Sequence, residues 1–193
     1  MQRYFILVVF SITNIIFTNM INCAYKVIAL MSGTSLDGID VIFAEYNCNK
    51  RWSFNILHSE TIKYSSDWKL VLKGLVNNSM DDLKSIDYKY SEYLGNVVLD
   101  FIKAYKIETI DFIASHGHTA LHRPEEGLTY QIGNQQVFAD VINEKVICDF
   151  RIQDVELGGQ GAPLVPIGDR LLFHNYGYCL NVGGFANISF ENK

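Results

Sequence analysis

Four clusters of residues have the types and spacings from which chemistry can be built. The first is Gly33-Thr34-Ser35-Leu36-Asp37-Gly38 with Ile39 and Asp40. A glycine-rich turn can aim several backbone N–H groups into one concavity and so hold an anion. The Thr34 and Ser35 hydroxyls would add donors for phosphate oxygens, and Asp37 or Asp40 could hold a water on Mg²⁺. The same stretch also reads as an ordinary Asp-Gly turn, and it lacks the Gly-Lys-Ser/Thr end of a Walker loop. The second cluster is His116, His118 and His122. Their spacing of two and then four suits a metal, hydrogen bonding to a sugar or other polyol, or histidines that only satisfy backbone groups. The third is Asp149-Phe150-Arg151-Ile152-Gln153-Asp154. An ionised aspartate steadied by an arginine can act as a general base, although a structural ion pair accounts for the same residues. The fourth is the glycine loop Gly158 to Gly161, echoed by Asn181-Val182-Gly183-Gly184, where backbone can approach a ligand closely. Serine-hydrolase chemistry is disfavoured, since the chain contains no G-x-S-x-G elbow.

These residues must be positioned by the elements around them. Tyr25–Met31, Ile39–Tyr46 and Trp52–Ile62 read as three strands, the first two joined by the glycine-rich turn as a hairpin. A strand meander at the start argues against a dinucleotide fold, in which a helix follows the first glycine turn. Tyr90, Tyr93, Leu94, Val97, Val98, Phe101 and Tyr105 recur at three and four and predict a helix beginning after Asp81. On this reading the aromatic stripe is core, and Asp87, Lys89, Glu92, Asp100 and Lys103 take the opposite face. Thr109–Ser115 is a strand leading into His116-Gly117-His118-Thr119. Tyr130–Gly133 is a short strand and turn, Gln135–Asn143 a helix and Val146–Asp149 a buried strand. Pro163 and Pro166 suit the start of a helix running to about His174, and Tyr178–Val182 is a last strand. The expected class is α/β with a mixed sheet.

Composition narrows the field further. Hydrophobic residues make up 49% of the 193 residues and charged residues 19%, so the chain can bury a core and is not a disordered segment. The formal net charge of −5 provides no basic stripe, which argues against nucleic acid as a partner. Cys23, Cys48, Cys148 and Cys179 form no C-x-x-C pair; they are expected to be reduced and mostly buried. Residues 1–24 stand apart, apolar from Tyr4 to Phe17 behind a single Arg3. They read as a secretory signal, a membrane anchor or a start placed upstream of Met20. A start at Met20 implies a cytoplasmic protein. A signal implies a secreted or periplasmic one, and only a retained leader would bring the protein to a membrane.

Taken together and in order, LMSGTSLDGID (Leu30 to Asp40), SHGHT (Ser115 to Thr119), QIGN (Gln131 to Asn134), DFRIQDVELGGQGAPLVP (Asp149 to Pro166) and LNVGGFANIS (Leu180 to Ser189) resemble the anhydro-N-acetylmuramic acid kinase family, of the sugar kinase/Hsp70/actin superfamily. The resemblance spans Tyr25 to Lys193. It implies an actin-like, ribonuclease H-like ATPase lobe over residues 25–193, with the family's second lobe missing, as in a fragment or shortened gene product. It implies an ATP- and Mg²⁺-dependent kinase that opens 1,6-anhydro-N-acetylmuramic acid with water and phosphorylates O6, giving N-acetylmuramic acid 6-phosphate in cell-wall sugar recycling. By position in the motifs, Asp154 matches the catalytic aspartate, and Gly33, Thr34, Ser35, Leu36, Asp37, Gly38, Ile39 and Asp40 match the ATP phosphate loop. His116, Thr119 and Arg151 are the implied sugar contacts. The family commonly reads His-Gly-Gln-Thr where this chain has His116-Gly117-His118-Thr119; a histidine there is expected to bring pH-sensitive protonation. Two other readings stand beside this one: a metal-dependent hydrolase using His116, His118, His122 and Asp149, and a non-catalytic sugar- or nucleotide-binding lobe. Whether the active form is a homodimer is left open by the sequence.

Overall fold

The structure is a computed structural model, and it describes residues 23–182 and 186–190. The apolar leader therefore lies outside the described residues except for Cys23 and Ala24, which are the first two residues of β1, and Gly183-Gly184 lies outside them as well. β1 (Cys23–Ser32), β2 (Ile39–Asn49) and β3 (Arg51–Ile62) form an antiparallel meander. Two elements follow that the sequence reading passed over. One is a short helix, α1 (Ser66–Lys73), capped by the Ser65 hydroxyl on the Trp68 N–H at 3.2 Å; the other is a 3₁₀ turn over Leu75–Asn77. The long helix α2 spans Met80–Tyr105. Ser79 caps it, accepting from the Asp82 N–H at 3.2 Å while its hydroxyl donates to the Asp82 carboxylate at 2.6 Å, so one orphan N–H of the first turn is satisfied locally.

Beyond α2 come β4 (Phe112–Ser115), β5 (His118–Arg123), β6 (Leu128–Ile132), α3 (Gln136–Ile142), β7 (Val146–Ile147), α4 (Ile152–Glu156), α5 (Val165–Leu172), β8 (Tyr178–Val182) and β9 (Ala186–Phe190). The main sheet runs in the order β3-β2-β1-β4-β7. Its β1–β4 and β4–β7 pairings are parallel, so the sheet is mixed, as expected. Parallel neighbours place the carboxyl ends of β1, β4 and β7 along one edge, which is where open α/β sheets present their ligand-binding loops. β5–β6 and β8–β9 are separate hairpins.

The core lies between the sheet and α2. Ile28, Leu30, Ile39, Val41 and Ile113 from the strands meet Leu83, Tyr90, Leu94, Val98 and Phe101 from the helix. Each such side chain, fully buried, contributes roughly 1.5–3 kcal/mol. The apolar face of α2 is thus core as read. Asp87, assigned to the solvent face, is instead 1% exposed: its carboxylate reaches donors from a segment more than forty residues away, described below. Two strand boundaries are shorter than expected. β4 starts at Phe112 rather than Thr109, and β7 stops at Ile147, two residues before Asp149, whose φ of 60° leaves the extended region. The expectation of mostly buried cysteines holds for Cys48 alone; Cys23, Cys148 and Cys179 are half-exposed. Among the described residues no helix is long and apolar enough to cross a membrane.

Candidate active site

The turn after β1 is closed by the Leu36 N–H on the Gly33 carbonyl at 3.3 Å. Leu36 sits at φ 57° and packs its side chain against the core, which pins the turn from beneath. Thr34 and Ser35, at its tip, are exposed. The two flanking glycines differ in cause. A Cβ on Gly38 would stand 2.6 Å from the Ile62 carbonyl oxygen, so close packing against β3 alone requires glycine there. At Gly33 a Cβ would meet nothing nearer than the Ser35 hydroxyl at 3.6 Å, so the protein's own packing does not demand the small residue. Ile39 is buried in the core. Asp37 is exposed, whereas Asp40 already accepts from the Thr61 hydroxyl at 2.6 Å through Oδ1. This donor set fits a nucleotide phosphate held by backbone and hydroxyls, with Asp37 as the freer carboxylate for a water-bound Mg²⁺.

SHGHT begins at the end of β4. The His116 N–H donates to the Leu30 carbonyl at 3.2 Å, continuing the β1–β4 ladder. Its side chain has a defined tautomer. Arg151, which has no acceptor, donates to His116 Nε2 through Nε at 3.1 Å and NH2 at 2.9 Å, so Nε2 is bare and Nδ1–H donates to the Gly117 carbonyl at 3.0 Å. Burial, with the neighbouring guanidinium adding to it, holds the His116 pKa below its ordinary value. Thr119 is half-buried in β5 opposite Gln131. His118 is 3% exposed and bonds the Ser32 hydroxyl through Nδ1 at 2.7 Å. Burial, and secondarily His116, push its pKa down to about 4. The expected pH-sensitivity near neutrality is therefore corrected: desolvation keeps this imidazole neutral.

The DFRIQD motif follows β7. Arg151, in the residue before α4, makes no ion pair with its flanking aspartates among the described residues. Its NH1 donates to the Gly161 carbonyl at 2.5 Å, and burial lowers its pKa. Asp154 lies one turn further. Its Oδ2 accepts from the Gly161 N–H at 2.6 Å, so helix α4 grips Gly161 by both its N–H and its C=O. The carboxylate rests against the Gly159 backbone: a Cβ there would stand 2.3 Å from Oδ2 and 2.6 Å from Oδ1. This close approach accounts for glycine at 159, whereas Gly158 and Gly161 stand at positive φ of 88° and 63°. Asp154 is exposed, and its Oδ1 has no protein partner among the described residues. Asp149 is half-buried, with its pKa raised by burial first and by Asp87 and Glu156 after it.

Two direct links tie these motifs together. Ser32 to His118 joins the edge of the first turn to SHGHT, and His116 to Arg151 joins SHGHT to the helix of Asp154. All lie at the carboxyl ends of β1, β4 and β7. The histidines, by contrast, do not converge on a common point: His116 turns to Arg151, His118 to Ser32 and His122 to Thr129 at 3.1 Å. Among the described residues no three His, Cys, Asp or Glu groups could share a metal ion.

Sequence reasoning missed Asp87. From α2 its Oδ1 accepts from Ser91 Oγ at 3.2 Å, the Gly133 N–H at 2.7 Å and the Asn134 N–H at 3.4 Å; its Oδ2 accepts from Tyr130 OH at 2.9 Å and Gln135 Nε2 at 2.6 Å. It braces the QIGN turn behind SHGHT. Burial and the Asp87 charge together raise the Tyr130 pKa.

A model of the anhydro-N-acetylmuramic acid kinase family matches residues 25–192. The chain belongs to the anhydro-N-acetylmuramic acid kinase family. It is 38% identical over 180 residues to the anhydro-N-acetylmuramic acid kinase of Clostridioides difficile (86% of this chain, 47% of the relative). It is 36% identical over 167 residues to that of Paramagnetospirillum magneticum (84% and 46%) and 38% identical over 172 residues to that of Thiobacillus denitrificans (84% and 45%). The chain thus spans about half the length of the curated relatives it matches. The mixed α/β sheet is the one expected of an actin-like ATPase lobe in this family.

Proposed function

We propose that this chain carries the sugar-opening and phosphate-holding face of an ATP-dependent kinase acting on 1,6-anhydro-N-acetylmuramic acid. The observation that supports this most is the linkage at one sheet edge: Ser32 to His118 and His116 to Arg151 gather the glycine turn, SHGHT and the Asp154 helix at the carboxyl ends of three parallel strands.

Asp154 is the general base on this reading. The Gly161 N–H fixes Oδ2, and Oδ1 is left to accept a proton from the attacking water. The water oxygen bonds to the anomeric carbon, the bond from that carbon to O6 breaks, and the freed O6 takes the γ-phosphoryl group, with ADP leaving. Strain in the bicyclic sugar favours the opening. His116, Thr119 and Arg151 contact the sugar; because Arg151 is spent partly on His116 and Gly161, it works as much by fixing these groups as by touching substrate. Gly33 to Asp40 hold the phosphates through backbone N–H groups and the Thr34 and Ser35 hydroxyls, with Asp37 toward Mg²⁺. ATP supplies the phosphoryl group, and the metal would neutralise charge on it.

The test is turnover of the anhydro sugar with ATP in H₂¹⁸O, followed by mass spectrometry. The expected product is N-acetylmuramic acid 6-phosphate with one label at C1 and none on phosphate. Sugar binding without ADP formation would favour a binding lobe instead. Label on the phosphate would overturn the order of steps.

A further inference from the structure

β1 and β2 bring two thiols face to face. The register that pairs Ser32 with Ile39 runs without a break to Cys23 opposite Cys48. Residues directly opposite in an antiparallel pair stand about 4.5–5.5 Å apart at Cα and share one face of the sheet. A disulfide spans about 4.4–6.8 Å at Cα. The side chains converge as well: the Cys48 thiol is hydrogen-bonded with Cys23, and burial first, then Cys23, raises its pKa.

Neighbouring rings hold this pair in place. Tyr25, two residues on and so on the same face as Cys23, stacks on Trp52 at 6.4 Å between centroids and tilts against Phe112 at 5.9 Å. Trp52 is the β3 partner of Cys48. Cys48 thus has Cys23 on one side and an indole on the other, and is 3% exposed. Cys23 is half-exposed. It begins β1, and β4 pairs with β1 only from Val27 onward, so its backbone follows β2 alone and can adjust to a bond between the sulfurs. The other two cysteines have no such partner in register: Cys148 follows β7, and Cys179 lies opposite Ser189.

We propose that Cys23 and Cys48 form a cross-strand disulfide, made by exchange with a small-molecule disulfide, that staples the open end of the β1–β2 hairpin. The half-exposed Cys23 reacts first. As thiolate it attacks one sulfur of the reagent, the reagent's S–S bond breaks, and one thiol leaves with the proton that Cys23 gave up. Cys48 then attacks Cys23 Sγ, the mixed disulfide breaks, and a second thiol leaves with the Cys48 proton. Two protein thiols become one disulfide, and the reagent takes up two electrons and two protons. The bond closes a loop of roughly 25 residues and so restricts the unfolded chain. It also ties down a strand end that would otherwise fray. The glycine turn sits at the far end of the same strands, about 30 Å away at roughly 3.3 Å per residue, so the staple acts on stability and leaves the turn alone. Strand register carries this inference, independently of the sugar-kinase reading.

The experiment incubates the full chain with oxidised glutathione, alkylates the remaining thiols and maps disulfides by mass spectrometry. The expected result is the Cys23 and Cys48 peptides joined and short of two hydrogens, with neither Cys148 nor Cys179 joined to another cysteine. Glutathione left on Cys23 or Cys48 with no joined peptide overturns the proposal, as does either one joined to Cys148, to Cys179 or to a second chain. The oxidised protein should melt roughly 5–10 °C above the reduced one; an equal or lower Tm overturns the stapling role. Cys23→Ser, altered at the half-exposed position, should show no oxidant-dependent shift, whereas Cys148→Ser should keep the parent's. A shift retained in Cys23→Ser, or lost in Cys148→Ser, overturns the assignment to this pair.

Discussion

Asp154 holds one carboxylate oxygen on the Gly161 N–H and leaves the other open, and that asymmetry is what a base needs: a fixed direction and a free lone pair. Asp154→Asn keeps the shape and removes the basicity. It should lower kcat by about 10²–10⁴-fold, the range of general-base contributions, with the KM for ATP little changed; an unaltered kcat in steady-state assays would take Asp154 out of the mechanism. Gly159→Ala probes the same group indirectly. The new Cβ would collide with the Asp154 carboxylate, and since that carboxylate is exposed it can swing away. Turnover should drop while the melting temperature stays within a few degrees, measured on the same sample. His118 makes a prediction about stability. Its folded pKa, about 4, lies below the usual 6.5, so between those values the unfolded chain binds a proton that the folded protein does not. Stability from this group is fully present above about pH 6.5 and is lost as pH falls toward 4. The loss amounts to about 3 kcal/mol. His116, also lowered, acts in the same direction, whereas the raised Asp149 acts in the opposite one. Urea unfolding at pH 7 and pH 4.5 should show a drop that is smaller in His118→Gln; an equal drop in both proteins would place the acid sensitivity elsewhere.

At the scale of elements, α2 serves two purposes. One face supplies the core, and Asp87 on the same rod pins the QIGN turn through backbone and side-chain donors of residues 130–135. Asp87→Ala would leave the buried Gly133 N–H and the half-buried Tyr130 hydroxyl without that acceptor and release the Gln135 amide. The cost should be about 3–5 kcal/mol, read as a lower denaturant midpoint, with amide exchange at Gly133 accelerated more than in β1. Uniform acceleration would mean that Asp87 supports the core at large. Asp87 was not legible in the sequence because helical periodicity reports which way a side chain faces, and a polar residue on the boundary of an apolar stripe defaults to solvent. Only the partners, some 46 residues away, make its burial tolerable. α1 was legible in principle: Ser65 as a capping residue with the acidic Asp67 in the first turn is a helix-start signal. β5 was harder to read, since its alternation is broken by the bulge between Thr119 and Leu121.

For the molecule as a whole, the carboxyl edge of the sheet is where distant segments meet. The hairpin β8–β9 takes little part in this. It pairs with itself, and Tyr178, Leu180 and Val182 remain exposed, with Ser189 donating to Asp169 as its hydrogen bond to α5. A chain ending after Tyr176 should therefore unfold within about 1 kcal/mol of the parent; a larger loss by calorimetry would give the hairpin a part in the core. The sequence by itself determined the meander, the long amphipathic helix, the mixed α/β class and the motifs that carry the family resemblance. Strand alternation, helical period and turn chemistry are local, and a motif is recognised by its order along the chain. Tertiary structure alone decided that Arg151 serves His116 and Gly161 rather than a neighbouring aspartate, that the three histidines point apart, and that His118 stays neutral. Those outcomes depend on which donors and acceptors long-range strand pairing brings within three ångströms, and on how much water is excluded when it does.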